Sequence, residues 1–198
     1  MKTRTTLVLV LVLVALLAGC DSSEQTEEAA ASTPESEFPT IPVENAFYFQ
    51  HVDGHGNDTD MVAFVLFEYE QLRIVKYQVA YLSCTCRSPE VNYWSVAYVE
   101  LDKNDGSIAH ISYDRDTEDH YHAGLYGDSE VSWDGAEVEA LFYRYIDENI
   151  ADASQESINA IEPMHGSVDA YTGATVTPNN AVRMLQGLFE YHNARYTS

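Results

Sequence analysis

The feature that most constrains the fold is a short polar segment, residues 169–178, that leads directly into a long helical pattern. Thr177 suits the N-cap, because a threonine hydroxyl can accept a hydrogen bond from an N–H group of the first turn. Pro178 suits the first helical position, where no N–H is needed. Three- and four-residue spacing then predicts one buried helix face, formed by Ala181, Met184, Leu185, Leu188, Phe189 and His192.

The same segment has the character of an anion-binding helix start. The first amides of a helix lack intrahelical partners and carry partial positive charge, so they can hold a phosphate. Gly173 and Ala174 are small enough for a flat ligand to approach the backbone closely. The alternative is an ordinary capped turn before the last helix, and local physics leaves both interpretations open.

The segment also resembles a known motif. Residues 169–177, Asp-x-x-Thr-Gly-Ala-Thr-x-Thr, are similar to the flavinylation motif of the FMN-binding domain family. The resemblance to the family as a whole covers roughly residues 93–192. That family includes the C subunit of Na+-translocating NADH:quinone reductase, the G subunit of the Rnf complex and flavin-carrying lipoproteins of extracellular electron transfer. In the family, a flavin transferase takes FMN from FAD and joins its phosphate to the threonine that follows Gly-Ala.

The resemblance implies a covalent cofactor at Thr175, with FMN attached through its phosphate. It implies that the rest of the cofactor-binding motif is Asp169, Thr172, Gly173, Ala174 and Thr177. Pro178 is a departure, since many members have serine at this position, but it lies outside the acceptor core.

The N-terminus has the pattern of an export signal. Lys2 and Arg4 precede an apolar run, residues 7–17, that is too short to span a bilayer comfortably. Residues 17–20, Leu-Ala-Gly-Cys, resemble a bacterial lipobox, which implies a signal peptide over residues 1–19 and lipidation of Cys20. The alternatives are an uncleaved signal anchor and an ordinary signal peptide. A lipidated protein would be anchored to the cell membrane on its extracytoplasmic side rather than span it.

Residues 20–42 are predicted to form a flexible tether, because they are acidic, small or proline-rich. Residues 43–198 are long enough for one domain with its own core. Cleavage of the signal peptide would remove Lys2 and Arg4. Eight basic and 32 acidic side chains would remain, a net charge of −24. Such a chain repels nucleic acid. Solubility, a salty habitat or docking to a basic redox partner would each explain the charge.

Several segments of residues 43–198 have strand patterns. Residues 61–67 form a continuous apolar run, which predicts a strand buried on both faces. Residues 74–82 alternate and predict a second strand. Residues 93–101 and 107–113 flank Asn-Asp-Gly at 104–106, which predicts a hairpin similar to part of the family's sheet.

Helical patterns follow the strands. Asp134 and Glu137 resemble a capping pair ahead of an apolar stripe, residues 138–146. Residues 154–161 predict a shorter helix that ends before Pro163, and residues 164–168 predict a short extended piece. We therefore predict an α+β fold, a single domain in which an antiparallel sheet packs against helices.

Two polar segments, residues 51–58 and 114–122, mix histidine with acidic side chains. Neither shows the ligand spacing of a recognised zinc or calcium site, so surface loops and no metal site are predicted.

Cys84 and Cys86 are the remaining thiols of an exported chain, which favours pairing. A disulfide across one residue closes a very small ring and is usually strained and easily reduced. A disulfide, a free thiol pair and half a metal site all remain open, and a disulfide could be inert or redox-active.

The function that these features predict is electron transfer by a lipid-anchored flavoprotein. A flavin transferase would mature it, and a membrane-bound redox partner would exchange electrons with it. It would be a carrier or a subunit of a redox complex rather than a stand-alone enzyme. Because no glycine-rich dinucleotide fingerprint follows a predicted strand, direct oxidation of NAD(P)H is not expected. The alternatives are a module that binds or senses FMN non-covalently and a lipoprotein whose redox centre is Cys84/Cys86.

Overall fold

The computed structural model describes residues 43–85, 93–114, 132–162, 164 and 166–197. The predicted signal peptide, Cys20, the tether, Cys86 and most of the polar loop at 114–122 lie outside the described residues. After a short 3-10 turn, Val43–Asn45, the described part contains one five-stranded sheet, one small hairpin and four α-helices.

The five-stranded sheet is an antiparallel meander in which the strands follow one another in chain order. Its strands are β1 (Ala46–Val52), β2 (Asp58–Glu70), β3 (Ile74–Leu82), β4 (Trp94–Asp102) and β5 (Ile108–Tyr113). Strand β3 has the predicted bounds, and its odd-numbered residues from 75 to 81 are buried as the alternation predicts. The hairpin of β4 and β5 is also confirmed, with Gly106 at a φ of 65° in its turn.

Strand β2 differs from its prediction, because it is not buried on both faces. Leu66 is 56% exposed and Phe67 is 52% exposed. The register shifts between Val65 and Phe67, so Leu66 is the extra residue of a bulge. An antiparallel sheet can leave one face to solvent, and here that face carries apolar side chains.

Strand β1 was not predicted, and the expected surface loop at 51–58 is wrong at its start. His51 and Val52 end β1 and are each 1% exposed. The reversal itself occupies residues 53–57, where Asp53 accepts hydrogen bonds from the backbone N–H groups of His55 and Asn57.

A two-residue hairpin precedes the first helix. Strands β6 (Ser132–Trp133) and β7 (Ala136–Glu137) flank Asp134 and Gly135, which have φ values of 46° and 78°. Positive φ at both central residues is the type I′ pattern that matches the twist of paired strands. The predicted capping pair is therefore wrong: Asp134 forms the turn, and Glu137 occupies the N-cap without a side-chain capping bond.

The helices cover one side of the sheet. They are α1 (Val138–Tyr145), which continues as a π turn (Ile146–Ile150), α2 (Gln155–Asn159), α3 (Ser167–Thr172) and α4 (Val176–Tyr196). Helix α2 confirms the short helix predicted at 154–161, with Ser154 capping the N–H of Ser157. Helix α3 begins at Ser167 and takes up the last two residues of the extended piece expected at 164–168, so that prediction is wrong there.

Helix α4 packs closely against β1. A Cβ atom on Gly187 would lie 2.8 Å from the carbonyl oxygen of Tyr48, so only glycine allows the helix backbone to approach the strand at this point. All six residues of the predicted helix face are buried. The predicted α+β class is confirmed. Among the described residues, no helix has both the length and the apolar character needed to cross a membrane.

Candidate functional site

The segment singled out by the sequence lies where α3 gives way to α4. Helix α3 ends at Gly173, which has a φ of 66° and whose N–H donates to the carbonyl oxygen of Asp169 at 2.9 Å. A left-handed residue at this position reverses the chain at little cost only if it is glycine. The reversal brings Asp169, on the first turn of α3, next to Thr175.

Thr172 stabilises this reversal from inside. Its side chain is fully buried, and its hydroxyl oxygen lies 2.8 Å from the carbonyl oxygen of Val168 and 2.9 Å from that of Ala174. The same hydroxyl accepts from the N–H of Ala174 at 3.3 Å. Thr172 therefore holds the conformation of the motif and does not present its hydroxyl to solvent.

Helix α4 starts two residues earlier than predicted. Val176 is its first residue and Thr175 stands at the N-cap position, so the prediction of Thr177 as N-cap and Pro178 as first helical residue is wrong. Thr177 instead lies inside the first turn, 7% exposed. Its assignment to the cofactor stays a prediction.

The Thr175 hydroxyl does not cap its helix. An N-cap side chain normally accepts from the N–H of the second or third helical residue. Here the third helical residue is Pro178, which has no N–H. The hydroxyl instead donates to a carboxylate oxygen of Asp169 at 2.8 Å.

Asn179 completes the hydrogen-bonded group. Its amide nitrogen donates to the other carboxylate oxygen of Asp169 and to the carbonyl oxygen of Thr175, both at 2.6 Å. Its amide oxygen accepts from the N–H of Met164 at 3.0 Å, and the residue is fully buried. The structure thus brings Asp169 and Thr175 of the predicted motif together and adds Asn179 to them.

Sequence reasoning missed Asn179 and its neighbour Asn180. A signal was present, because asparagine is unfavourable inside helices and two in succession inside the second turn call for a compensating role. What each side chain bonds to is set by contacts distant in sequence, which the pattern alone cannot supply.

Trp133 is the other residue that sequence reasoning missed. Its indole lies against Gly173: a Cβ atom on that glycine would be 2.3 Å from Cγ of Trp133. The indole is nevertheless 50% exposed. Because Gly173 has no side chain, the indole of Trp133 packs directly against its backbone. The other side of the ring stays open to solvent.

Cys84 follows β3 and is buried, 5% exposed. The carbonyl oxygen of its neighbour Ser83 accepts from the side chain of Asn180 at 3.0 Å, so the end of β3 contacts the helix that begins beside Thr175. Cys86 lies outside the described residues, and the interpretations of the cysteine pair stay predictions.

One family model matches the chain. It is described as an FMN-binding domain and matches residues 92–190. This range contains β4, β5, the hairpin of β6 and β7, α3 and most of α4. The chain belongs to the FMN-binding domain family. It is therefore a flavin-binding protein, and the predicted membership is confirmed. No curated protein and no solved structure matches the chain.

The domain of this FMN-binding family member extends beyond the matched range. Strand β3, which precedes the match, pairs with β4 along its whole length, from Ile74 opposite Asp102 to Leu82 opposite Trp94. Strands β1 and β2 continue the same sheet. The segment from β1 to β3, residues 46–82, is therefore part of the fold that supports the site.

The residues at the α3–α4 junction fit an FMN group. The first turn of α4 offers backbone amides with partial positive charge for a phosphate. Thr175 is partly exposed at that end. The half-exposed indole of Trp133 lies beside Gly173, two residues away, and aromatic faces suit a flat ring.

A separate groove of about 350 Å³ lies between β1 and α4, further along the helix. Arg183 supplies a positive charge there, but Asp60 and Glu190 also line it. Two carboxylates disfavour a phosphate at this place. The α3–α4 junction is therefore the better candidate for the phosphate of the flavin.

Proposed function

We propose that the protein carries FMN joined through its phosphate to Oγ1 of Thr175, and that it transfers electrons while anchored to a membrane by lipid on Cys20. The observation that supports this proposal is the Thr175 hydroxyl, which is partly exposed at a helix N-terminus and held by Asp169 instead of capping its own helix. A flavin accepts one or two electrons, and the protein supplies its position and electrostatic environment.

Covalent attachment suits a flavoprotein outside the cytoplasm, where a dissociated cofactor would diffuse away. An ester at the phosphate leaves the ring free to face a partner. The electrons would come from a membrane-bound redox partner, and a flavin transferase would install the cofactor. An acidic surface, with a net charge of −24 for the mature chain, favours docking to a basic partner.

Intact-mass analysis tests the attachment. The protein is exported together with a flavin transferase, as wild type, as Thr175→Ala and as Thr197→Ala, a control threonine beyond the end of α4. We expect wild type and the control to gain one FMN less one water, with flavin fluorescence that survives denaturing electrophoresis, and Thr175→Ala to gain nothing. An unmodified wild type, with the transferase active on another substrate, would rule out the covalent link.

The mass measurement tests the first alternative, and cysteine substitution tests the second. A module that binds FMN non-covalently would release its flavin on denaturation and show no mass gain. A thiol-based redox protein would lose its electron-transfer activity when Cys84→Ser and Cys86→Ser are combined. It would keep that activity in Thr175→Ala.

The membrane anchor has its own test. Cys20→Ala should move the flavin-labelled protein from the membrane fraction to the soluble extracytoplasmic fraction or block its maturation. Continued membrane association of a processed Cys20→Ala protein would contradict the lipid anchor.

A further inference from the structure

We propose that Asp169 is the base that takes the proton of Thr175 when the phosphoester forms, and that Asn179 holds Asp169 in place for this step. The inference rests on the proposed covalent attachment and deepens it. It assigns to the flavin-accepting chain a part of the chemistry that a transferase alone would otherwise provide.

The Thr175 hydroxyl is directed at the carboxylate of Asp169. Oγ1 of Thr175 and Oδ2 of Asp169 lie 2.8 Å apart. Because an ionised carboxylate only accepts, the hydroxyl is the donor of this bond. Pro178 provides no N–H at the third helical position to engage the oxygen as a cap. The oxygen is therefore oriented with its proton on a base and a lone pair available to a phosphorus atom, which is the geometry of general-base catalysis.

Asn179 fixes the orientation of the Asp169 carboxylate. Oδ1 of Asp169 accepts from the amide nitrogen of Asn179 at 2.6 Å. The Asn179 amide cannot turn over without loss, since its nitrogen also donates to the carbonyl oxygen of Thr175 and its oxygen accepts from Met164 N–H. A reacting hydroxyl, a base and a buried group that orients the base form the arrangement that activates hydroxyl nucleophiles elsewhere.

The charge of Asp169 also bears on the reaction. A carboxylate 2.8 Å from the acceptor oxygen would repel an arriving phosphate as long as it stays ionised. By taking the proton from Thr175, Asp169 loses its negative charge when the bond to phosphorus forms. The same transfer therefore activates the nucleophile and removes the repulsion.

The step balances with flavin adenine dinucleotide as co-reactant. The bond between Oγ1 of Thr175 and the phosphorus on the flavin side forms, and the bond from that phosphorus to the bridging oxygen of the diphosphate breaks. Adenosine monophosphate leaves with the bond electrons. The threonine proton goes to Oδ2 of Asp169, and no oxidant or reductant is needed.

The test is the rate of flavin gain as a function of pH. The full-length chain is purified without flavin from cells that lack a transferase, solubilised in detergent, and mixed with transferase and flavin adenine dinucleotide. The variants are Asp169→Asn, which is nearly isosteric but cannot take the proton, and Asn149→Ala, a control asparagine in the exposed part of the π turn. Urea unfolding confirms that each variant is folded.

We expect Asp169→Asn to react about 10²- to 10⁴-fold more slowly than wild type, the usual range for loss of a general base. Its remaining rate should rise with hydroxide and lack the carboxylate-dependent rise of the wild type. The Asn149→Ala control should react like the wild type. A folded Asp169→Asn protein that reacts within threefold of wild type, with the same pH profile, would overturn the role of the base.

Asn179→Asp tests the positioning residue without a change in size. It replaces the donor to Asp169 with a second carboxylate, and two adjacent carboxylates resist ionising together. We expect a slower reaction whose pH profile moves to higher pH, which a purely structural role would not produce. An unshifted profile would overturn the role of Asn179. If the wild type gains no flavin at all, the proposed function fails instead, so the two failures are distinguishable.

Discussion

Asn180 pairs with the backbone of Val52 as a neighbouring strand would. Its amide oxygen accepts from the N–H of Val52 at 2.7 Å, and its amide nitrogen donates to the carbonyl oxygen of Val52 at 3.0 Å. The same nitrogen also donates to the carbonyl oxygen of Ser83. One fully buried side chain of α4 thus satisfies the ends of β1 and β3, which a helix backbone could not do.

The first prediction concerns this side chain. Asn180→Ala leaves three backbone groups without their partner, and an unsatisfied buried group costs about 1–3 kcal/mol. We expect the free energy of unfolding to fall by at least about 3 kcal/mol, measured by urea denaturation. Asn149→Ala is the control and should cost less than about 1 kcal/mol, because this exposed residue makes one backbone bond, at 3.3 Å. Equal losses in the two variants would contradict the account.

The second prediction concerns Gly173. Gly173→Ala combines a left-handed backbone, which costs an alanine about 1–2 kcal/mol, with a contact of 2.3 Å to Trp133. We expect a total loss of about 2–5 kcal/mol in unfolding free energy, since overpacking adds about 1–3 kcal/mol. Gly106→Ala is a matched control, because its φ is +65° and no atom lies within 4 Å of the added Cβ. It should show the backbone cost alone.

A double-mutant cycle separates the two contributions. In a Trp133→Ala background, Gly173→Ala should cost no more than Gly106→Ala costs in the wild type. If the cost of Gly173→Ala is the same with and without the indole, Trp133 does not restrict this position.

The third prediction concerns pH. Burial lowers the pKa of His51, with Asp53 partly opposing it, and burial also lowers the pKa of His192. Each histidine therefore binds its proton more readily in the unfolded chain, and stability should decline as the pH falls below about 6.5. The slope of the unfolding free energy against pH can reach about 1.4 kcal/mol per pH unit for each proton taken up on unfolding.

Urea unfolding between pH 5 and 8 measures this slope. Asp53 contributes little in that range, because its hydrogen bonds with Asn57 lower its pKa to about 2. His51→Leu should flatten the slope between pH 5 and 6.5, since Nε2 of His51 has no hydrogen-bond partner among the described residues and an apolar side chain can replace it. An identical slope in wild type and His51→Leu would refute the assignment.

The fourth prediction concerns the flavin potential. Reduction adds negative charge, which an acidic protein with a formal net charge of −22 disfavours. The potential of the attached flavin should therefore be lower than that of free FMN, and the difference should shrink as salt is raised. Redox titrations at low and high salt, with free FMN as reference, measure both effects. A potential well above that of free FMN would contradict the prediction.

The elements that the sequence predicted well are those whose burial follows a regular period. Strand β3 alternates, and the face of α4 from Ala181 to His192 repeats as a helix does, so their patterns reflect one buried side. The apolar run in β2 misled, because hydrophobicity alone does not distinguish a strand buried on both faces from one whose bulge exposes Leu66 and Phe67. Helix α3 was missed because it has only six residues and tertiary contacts stabilise it.

The sequence singled out the motif residues, but their arrangement in space was not foreseeable. The bond between Asp169 and Thr175 depends on the reversal at Gly173, and the sequence pattern placed the helix start at Thr177. The roles of Asn179 and Trp133 depend on which buried group each side chain meets in the folded state. No local spacing encodes those contacts.

The hydrogen bonds described around Thr175 join residues close in sequence, the longest being the 15-residue step from Met164 to Asn179. The positions of Asp169, Thr175 and Asn179 relative to one another are thus set within one helical hairpin, whereas α3 itself depends on packing against the rest of the domain. Transplanted to another protein, residues 164–180 should therefore keep this arrangement only where the scaffold also packs against α3 and places an aromatic side chain over the glycine.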